Sequence, residues 1–254
     1  MPHPAIFGPI GQPFVILPSV ESTNNYAMGL VQAGMASHGA AFFALEQTAG
    51  KGQRGKKWIA EPHKNIALSI VLEPGFLQAH QQFLLSATVA LAAYDVFEKY
   101  AGNDTRIKWP NDIYWRDRKA GGILIENSFR GNDWQYAIAG IGININQTRF
   151  DDSVKHAVSL QQVTGRPFLI TDLAKELCAF LEQRFGNLLH IPYSHILLQY
   201  QQVLYKLQQP VKLKKDNAVF ETTIRGVSAT GQLLTSGSAD QVFDFGEVEW
   251  VIEY

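Results

Sequence analysis

Residues 50 to 58, GKGQRGKKW, set three glycines among four cationic side chains with no acid between them. Gly50, Gly52 and Gly55 match the G-x-G-x-x-G turn of dinucleotide-binding proteins, and Gly50 through Lys56 match most of a phosphate-binding P-loop. Both signatures need a helix behind the loop, because its N-terminal amides hold the phosphates. Here KKWIAEPHKN follows, with Pro62 and then a strand pattern, and position 57 is Lys where a P-loop needs Ser or Thr. What remains is a strand-to-strand loop whose glycines permit unusual backbone angles, with Lys51, Arg54, Lys56 and Lys57 able to close over an anion. A solvated basic turn is the competing reading. Like charges and free glycines make the loop costly to order, so it is expected to be mobile until an anion neutralises it.

Further candidates flank it. In ESTNN, Ser22, Thr23 and Asn24 offer short hydrogen-bonding side chains, as a helix cap, as the polar end of a pocket, or as both, since a cap needs only one of them. In RDRKAGG, Lys119 follows a charged turn and reads as a solvated ammonium, but Gly121 and Gly122 inside a strand mark the close approach of a ligand or another backbone. The single cysteine, Cys178, lies in an apolar helical pattern and reads as core. His190 and His195, five apart, fit neither H-E-x-x-H nor one helical face, so no zinc site is expected.

The elements that must hold these groups follow from apolar periodicity. AAFFALE (40–46) and NIALSIVLE (65–73) read as strands on either side of the cationic loop, and QQFLLSATVALAAYDVFEKY (81–100) as the longest helix. Ser22 is placed as the N-cap of a helix through about Leu30. TRIKW, DIYW, KAGGILIENSF and WQYAIAGIGININ follow as strands, then LAKELCAFLEQRF and SHILLQYQQVLYKL as helices, the second ended by Pro210. Beyond it short strands at close spacing, down to EVEWVIEY, indicate a small β-barrel. Strands joined mostly as hairpins make the fold α+β, a mixed and mainly antiparallel sheet with flanking helices, divided as residues 1–208 and 209–254. With 254 residues, 46% of them hydrophobic, the chain can bury a substantial core, and its net charge of −1 gives no bulk attraction to nucleic acid or membrane. No apolar run reaches membrane-spanning length and MPHPAIFGPIGQPF lacks a signal-peptide pattern, so a cytoplasmic protein is expected.

Taken in order, ESTNNYA, ALEQTAGKGQRGKKW, IKWPNDIYW and RKAGGILIE resemble the catalytic domain of biotin protein ligases, over roughly residues 15 to 150. The resemblance implies a class II synthetase-like catalytic fold, ATP and Mg²⁺ as cofactors, and biotin as substrate. It implies two steps through biotinyl-5'-AMP, ending on a lysine of a biotin carboxyl carrier protein or carboxylase biotinyl domain. By resemblance Ser22, Thr23, Asn24 and Gln47 face the ureido ring, and Lys51, Gly52, Gln53, Lys119 and Gly121 complete the biotin site. Arg54, Trp58, Lys108, Asn111, Asp112 and Asn144 face ATP or the adenylate, Asp112 with Mg²⁺, and Lys119, Arg54 and Lys51 are the catalytic cations. For Trp58 ordinary packing, and for Asn111-Asp112 an Asx turn, remain as alternatives. Asn144 and Asn146 are expected on one face of a strand toward the nucleotide. The loop departs from the family's arginine-rich G-R-G-R-R-G: Lys51 keeps charge but loses the bidentate fork, and Gln53 loses the charge. Lipoate ligases and octanoyltransferases share the fold and are the alternative assignment. A DNA-binding repressor is the rival from another class, disfavoured because the motifs begin near residue 19 and no basic face is evident. Monomer and homodimer both remain open.

Overall fold

The computed structural model describes residues 8–151, 154, 156–237 and 239–252. The first seven residues of the lead and the last two of EVEWVIEY lie outside them. A seven-stranded sheet is built from β1 (Phe14–Leu17), β2 (Ala41–Ala44), β3 (Ile66–Leu72), β4 (Thr105–Lys108), β5 (Asp112–Trp115), β6 (Arg118–Arg130) and β7 (Asp133–Ile143). Its order is β1-β2-β3-β7-β6-β5-β4, antiparallel except for β1 against β2. The parallel edge strand β1, in QPFVILPS, is not among the strands that apolar periodicity indicates.

All seven residues of β3, IALSIVL, are buried, because both faces of this central strand are covered. On one face Ile66, Leu68, Ile70 and Leu72 join the main core with α2 (Gln82–Ala101) and α4 (Ile170–His190). On the other Val71 packs with Ala27 and Val31 of α1 (Thr23–Gln32), leaving Ala67 and Ser69 as small residues on the same face. Ser22 caps α1, its side chain accepting from the Asn25 N–H, as the sequence indicates. A short α3 (Leu160–Thr164) carries a capping box between Ser159 and Gln162.

The last helix, α5 (Tyr193–Gln202), ends eight residues before Pro210, so proline does not stop it. Instead the chain swings onto the exposed edge of β4, where the Ile107 N–H donates to Val203 O at 2.9 Å and the Tyr205 N–H to Ile107 O at 2.8 Å. Beyond this come β8 (Pro210–Lys215), β9 (Ala218–Val227), β10 (Leu233–Ser236), β11 (Asp240–Phe243) and β12 (Glu249–Val251). They form one antiparallel sheet in the order β11-β10-β9-β8-β12; among the described residues its two outer strands do not pair. Leu213, Ile224, Leu233 and Phe243 of this sheet belong to the same apolar cluster as Leu85 and Phe97 of α2. Trp109, between β4 and β5, donates its indole N–H to Gly231 O at 2.8 Å across the junction. Among the described residues no helix is long and apolar enough to cross a membrane.

Candidate functional site

One cleft of about 880 Å³ opens on the α1 face of the large sheet, roofed by the 50–58 loop and bordered by residues of the second sheet. Its floor is made of small residues. Ala67 lies opposite Gly142 and Ser69 opposite Gly140, while Gly122 of β6 flanks Gly142. A Cβ at Gly140 would stand 2.3 Å from Asn24 Oδ1, and one at Gly142 2.6 Å from the Trp58 ring, so these glycines let both side chains lie on the sheet.

The end of the cleft beside α1 is a connected network of uncharged side chains that closes on one carboxylate, Glu126. Thr23 donates to Gln47 Oε1 from its backbone N–H at 2.8 Å and from its hydroxyl at 3.0 Å. The buried Ser69 hydroxyl lies 2.7 Å from Thr23 Oγ1 and 2.6 Å from Asn24 Oδ1, and can give its one proton to either. Asn24 Nδ2 donates to Glu126 Oε2 at 2.7 Å and Leu124 O at 3.3 Å. Ser22, Thr23, Asn24 and Ser69 are all buried.

The opposite end is cationic. Lys119 Nζ donates to Asp112 Oδ1 at 2.6 Å, and both flank Gly122, whose Cβ would come within 3.1 Å of the carboxylate. Lys108 stands between the rings of Tyr114 and Trp250, 5.1 and 5.5 Å from their centroids. Burial lowers its ammonium to about 8, opposed by Asp112 and assisted by Lys119 and Lys56. Two indole N–H groups in this cleft, those of Trp58 and Trp250, are buried and have no acceptor among the described residues.

The 50–58 loop folds as a short hairpin: Lys51 bridges Lys57, and the Gly52 and Trp58 N–H groups donate to Lys56 O and Gly50 O at 2.7 and 2.9 Å. Neither a P-loop nor a dinucleotide turn is present. At the tip Arg54 adopts φ 54° and ψ 41°, a left-handed conformation that costs a non-glycine residue energy. Its guanidinium donates to Gly246 O of the second sheet at 2.8 Å. Gln53 Nε2 donates to Ile123 O at 3.2 Å, and Lys51 Nζ reaches Asn25 Oδ1 and lies 3.6 Å from Glu126.

Of the residues singled out from sequence, Ser22, Thr23, Asn24, Gln47, Lys51, Gly52, Gln53, Arg54, Trp58, Lys108, Asn111, Asp112, Lys119 and Asn144 line this cleft. Gly121 does not. Side chains alternate along a strand, and Gly121 faces the neighbouring backbone, its Cβ falling 2.7 Å from Gly142 O; the glycine toward the cleft is Gly122. Asn146 is a second correction, because the chain leaves β7 at Ile143 and the alternation ends there. Its amide clasps the Phe168 backbone, accepting at 2.9 Å and donating at 2.8 Å, away from the cleft. Asn144 donates to Val158 O at 3.2 Å, and Asn111 spends its amide on Ile123 O. Ser69, Glu126, Gly140 and Trp250 escape the sequence reading. A lone serine in an apolar strand, and glycines two apart in IAGIGI, are the signals that could have found the first and third.

Residues 16–144 match the family described as biotin/lipoate A/B protein ligase. The bifunctional ligase/repressor BirA of Escherichia coli is 33% identical over 232 residues, 88% of this chain and 69% of that protein. The biotin--[acetyl-CoA-carboxylase] ligase of Paracoccus denitrificans is 31% identical over 245 residues, 92% of this chain and 98% of that one. In fold, the chain resembles the biotin protein ligase from Aquifex aeolicus in complex with biotin and ATP, with TM-score 0.79 and 23% identity over 94% of this chain and 98% of that chain.

Proposed function

The chain belongs to the biotin/lipoate A/B protein ligase family, among its biotin protein ligases, and from that premise we propose the reaction and the roles of the residues in the cleft. Biotin binds with its ureido head at Ser22, Thr23, Asn24 and Gln47, and its carboxylate toward Lys119. ATP lies at the Lys108 end, with Trp58 beside the base and Arg54 and Lys51 over the phosphates. The biotin carboxylate attacks the α-phosphate, pyrophosphate leaves, and the biotinyl-5'-AMP formed is taken by the lysine amine of a biotin carboxyl carrier protein or carboxylase biotinyl domain, releasing AMP.

The observation that carries this reading is the polarity of one cleft: short neutral hydrogen-bonding groups at one end, suited to a ureido ring, and ammonium groups at the other. A developing negative charge on the α-phosphate is stabilised by cations already fixed in place, and Lys119, held by Asp112, is the best placed of them. Asp112 fits Mg²⁺ only as a single carboxylate toward an ion that arrives with ATP, since magnesium readily keeps water and phosphate as its other ligands. That ion would neutralise phosphate charge. The residues Asp112, Lys119 and Lys108 orient the phosphates, and the hairpin excludes water from the mixed anhydride. In this reading residues 1–208 carry both substrates and residues 209–254 form a second unit bordering the nucleotide end. The buried Cys178 thiol, pushed up to about 12 by burial, is unreactive and compatible with the cytoplasm, where we place the reaction.

Lipoate ligases belong to the same family, so the discriminating experiment is exchange of labelled pyrophosphate into ATP with biotin, lipoate or octanoate. Exchange driven by biotin alone is the expected result. Exchange driven by lipoate, or acyl transfer from octanoyl donors without ATP, would overturn the substrate assignment.

A further inference from the structure

We propose that Glu126 is a positioning residue that joins the two ends of the cleft, fixing the amide of Asn24 and anchoring the hairpin through Lys51. It rests on the reading that a ureido head binds at Ser22 to Asn24. One carboxylate has two engaged oxygens: Oε2 accepts from Asn24 Nδ2 at 2.7 Å, and Oε1 lies 3.6 Å from Lys51 Nζ. The same ammonium reaches Asn25, the next residue of α1.

The consequence for Asn24 is one of orientation. Its Nδ2 faces two acceptors, Glu126 and Leu124 O, and its Oδ1 lies 2.6 Å from the Ser69 hydroxyl, which can donate to it. Turning the amide over would set its oxygen against a carboxylate and a carbonyl, leaving buried groups unpaired. The face Asn24 presents to a ligand is therefore set from strand β6, about a hundred residues away. The consequence for the hairpin is one of attachment. Side-chain exposures of 42% for Lys51 and 34% for Glu126 mean that the ion pair alone contributes little in water. Its effect lies in sharing: a ligand that orders Asn24 also orders Glu126, and an ordered carboxylate holds Lys51 and the strand that carries it. Ligand binding at the neutral end and settling of the cationic hairpin are then linked, each favouring the other.

The test uses the full chain, with biotin as the titrant, and the variants Glu126→Ala, Glu126→Gln, Lys51→Met and Glu126→Ala with Lys51→Met. Wild-type protein that fails to bind biotin would sink the ureido reading itself, separately from this proposal. Given wild-type binding, Glu126→Ala should weaken biotin by about tenfold, the scale expected when a buried amide loses its partner. Its effect should persist in the Lys51→Met background, because the bond from Asn24 to Glu126 does not pass through Lys51. Glu126→Gln keeps an oxygen for Asn24, so biotin affinity should stay within about threefold of wild type, below what loss of a hydrogen bond costs. Biotin-bound Glu126→Gln should nevertheless be cut faster by trypsin after Lys51. It also serves as the readout if Glu126→Ala does not fold. Wild-type affinity in Glu126→Ala, loss of its effect when Lys51→Met is added, or unchanged protection from trypsin in Glu126→Gln would overturn the assignment.

Discussion

Ser22, Thr23, Asn24, Gln47 and Ser69 hydrogen-bond one another or the backbone at one end of the cleft, whereas at the other Lys119 is paired with Asp112 and both Lys119 and Lys56 act on the ammonium of Lys108. Neutral dipoles can be arranged in advance because each satisfies the next, and the one carboxylate they reach, Glu126, is met by the Asn24 amide and lies 3.6 Å from Lys51. Like cations cannot. Loss of water on burial, opposed by Asp112 and assisted by Lys119 and Lys56, holds Lys108 down to about 8, which is the cost of burying a positive charge before its anion arrives. In the proposed reading the end beside α1 is a finished surface, and the cationic end is completed by its substrate.

The largest expected difference comes from Lys119→Ala. Adenylate formation should fall by roughly a hundredfold or more, the scale of losing a fixed transition-state donor, while biotin titration changes far less. Near wild-type pyrophosphate exchange in this variant would erase the division of labour between the two ends. Thr23→Val addresses the neutral end at nearly constant volume. Biotin affinity should drop by about 1 to 3 kcal/mol by calorimetry, since Gln47 and Ser69 lose a buried partner, and the KM for ATP should hold. An equal loss for both ligands would mean that the variant disturbs the whole cleft. The smallest effect is with pH. Lys108 sheds its charge above about 8, so ATP affinity should weaken several-fold as pH rises through that value while biotin affinity stays level. The same shift has a stability sign. The unfolded lysine keeps its proton up to its usual 10.5, so ν is larger unfolded and this group adds stability as pH rises from about 8 toward 10.5. ATP affinity that is flat across pH 8 would remove Lys108 from the phosphate end.

Most of the residues forming both ends are readable in the chain, because ESTNN, GKGQRGKKW, KWPND and RKAGG each combine a turn or cap with chemistry. The exceptions follow from what a linear pattern can hold. Ser69 sits in an apolar strand, and its partners are 45 and 46 residues away, so nothing local distinguishes it from a tolerated polar substitution. Glu126 ends an apolar run and reads as a solvated charge until β6 is laid beside α1. Asn146 departs from the expected face because β7 ends at Ile143, three residues before it, and alternation holds only within a strand. Pro210 reads as the stop of α5, but the unpaired edge of β4 captures the chain first. Helix α2 is legible from its length and apolar content, and the parallel β1 is too short, at four residues, to stand out beside three prolines.

The apolar cluster common to both sheets makes the division at residue 208 one of topology rather than of independent folding. Leu213, Ile224 and Leu233 fill the same interior as Leu85, and Gly231, held at φ +91°, lies where a Cβ would strike Phe83 at 2.4 Å. Severed after Gln208, the chain would give two fragments, each with an exposed oily face and neither with the cleft closed. Fused to a pair of interacting proteins, the fragments should regain ligase activity only when brought together, so the molecule could act as a reporter of proximity. Activity from the larger fragment alone would show that the second sheet is dispensable.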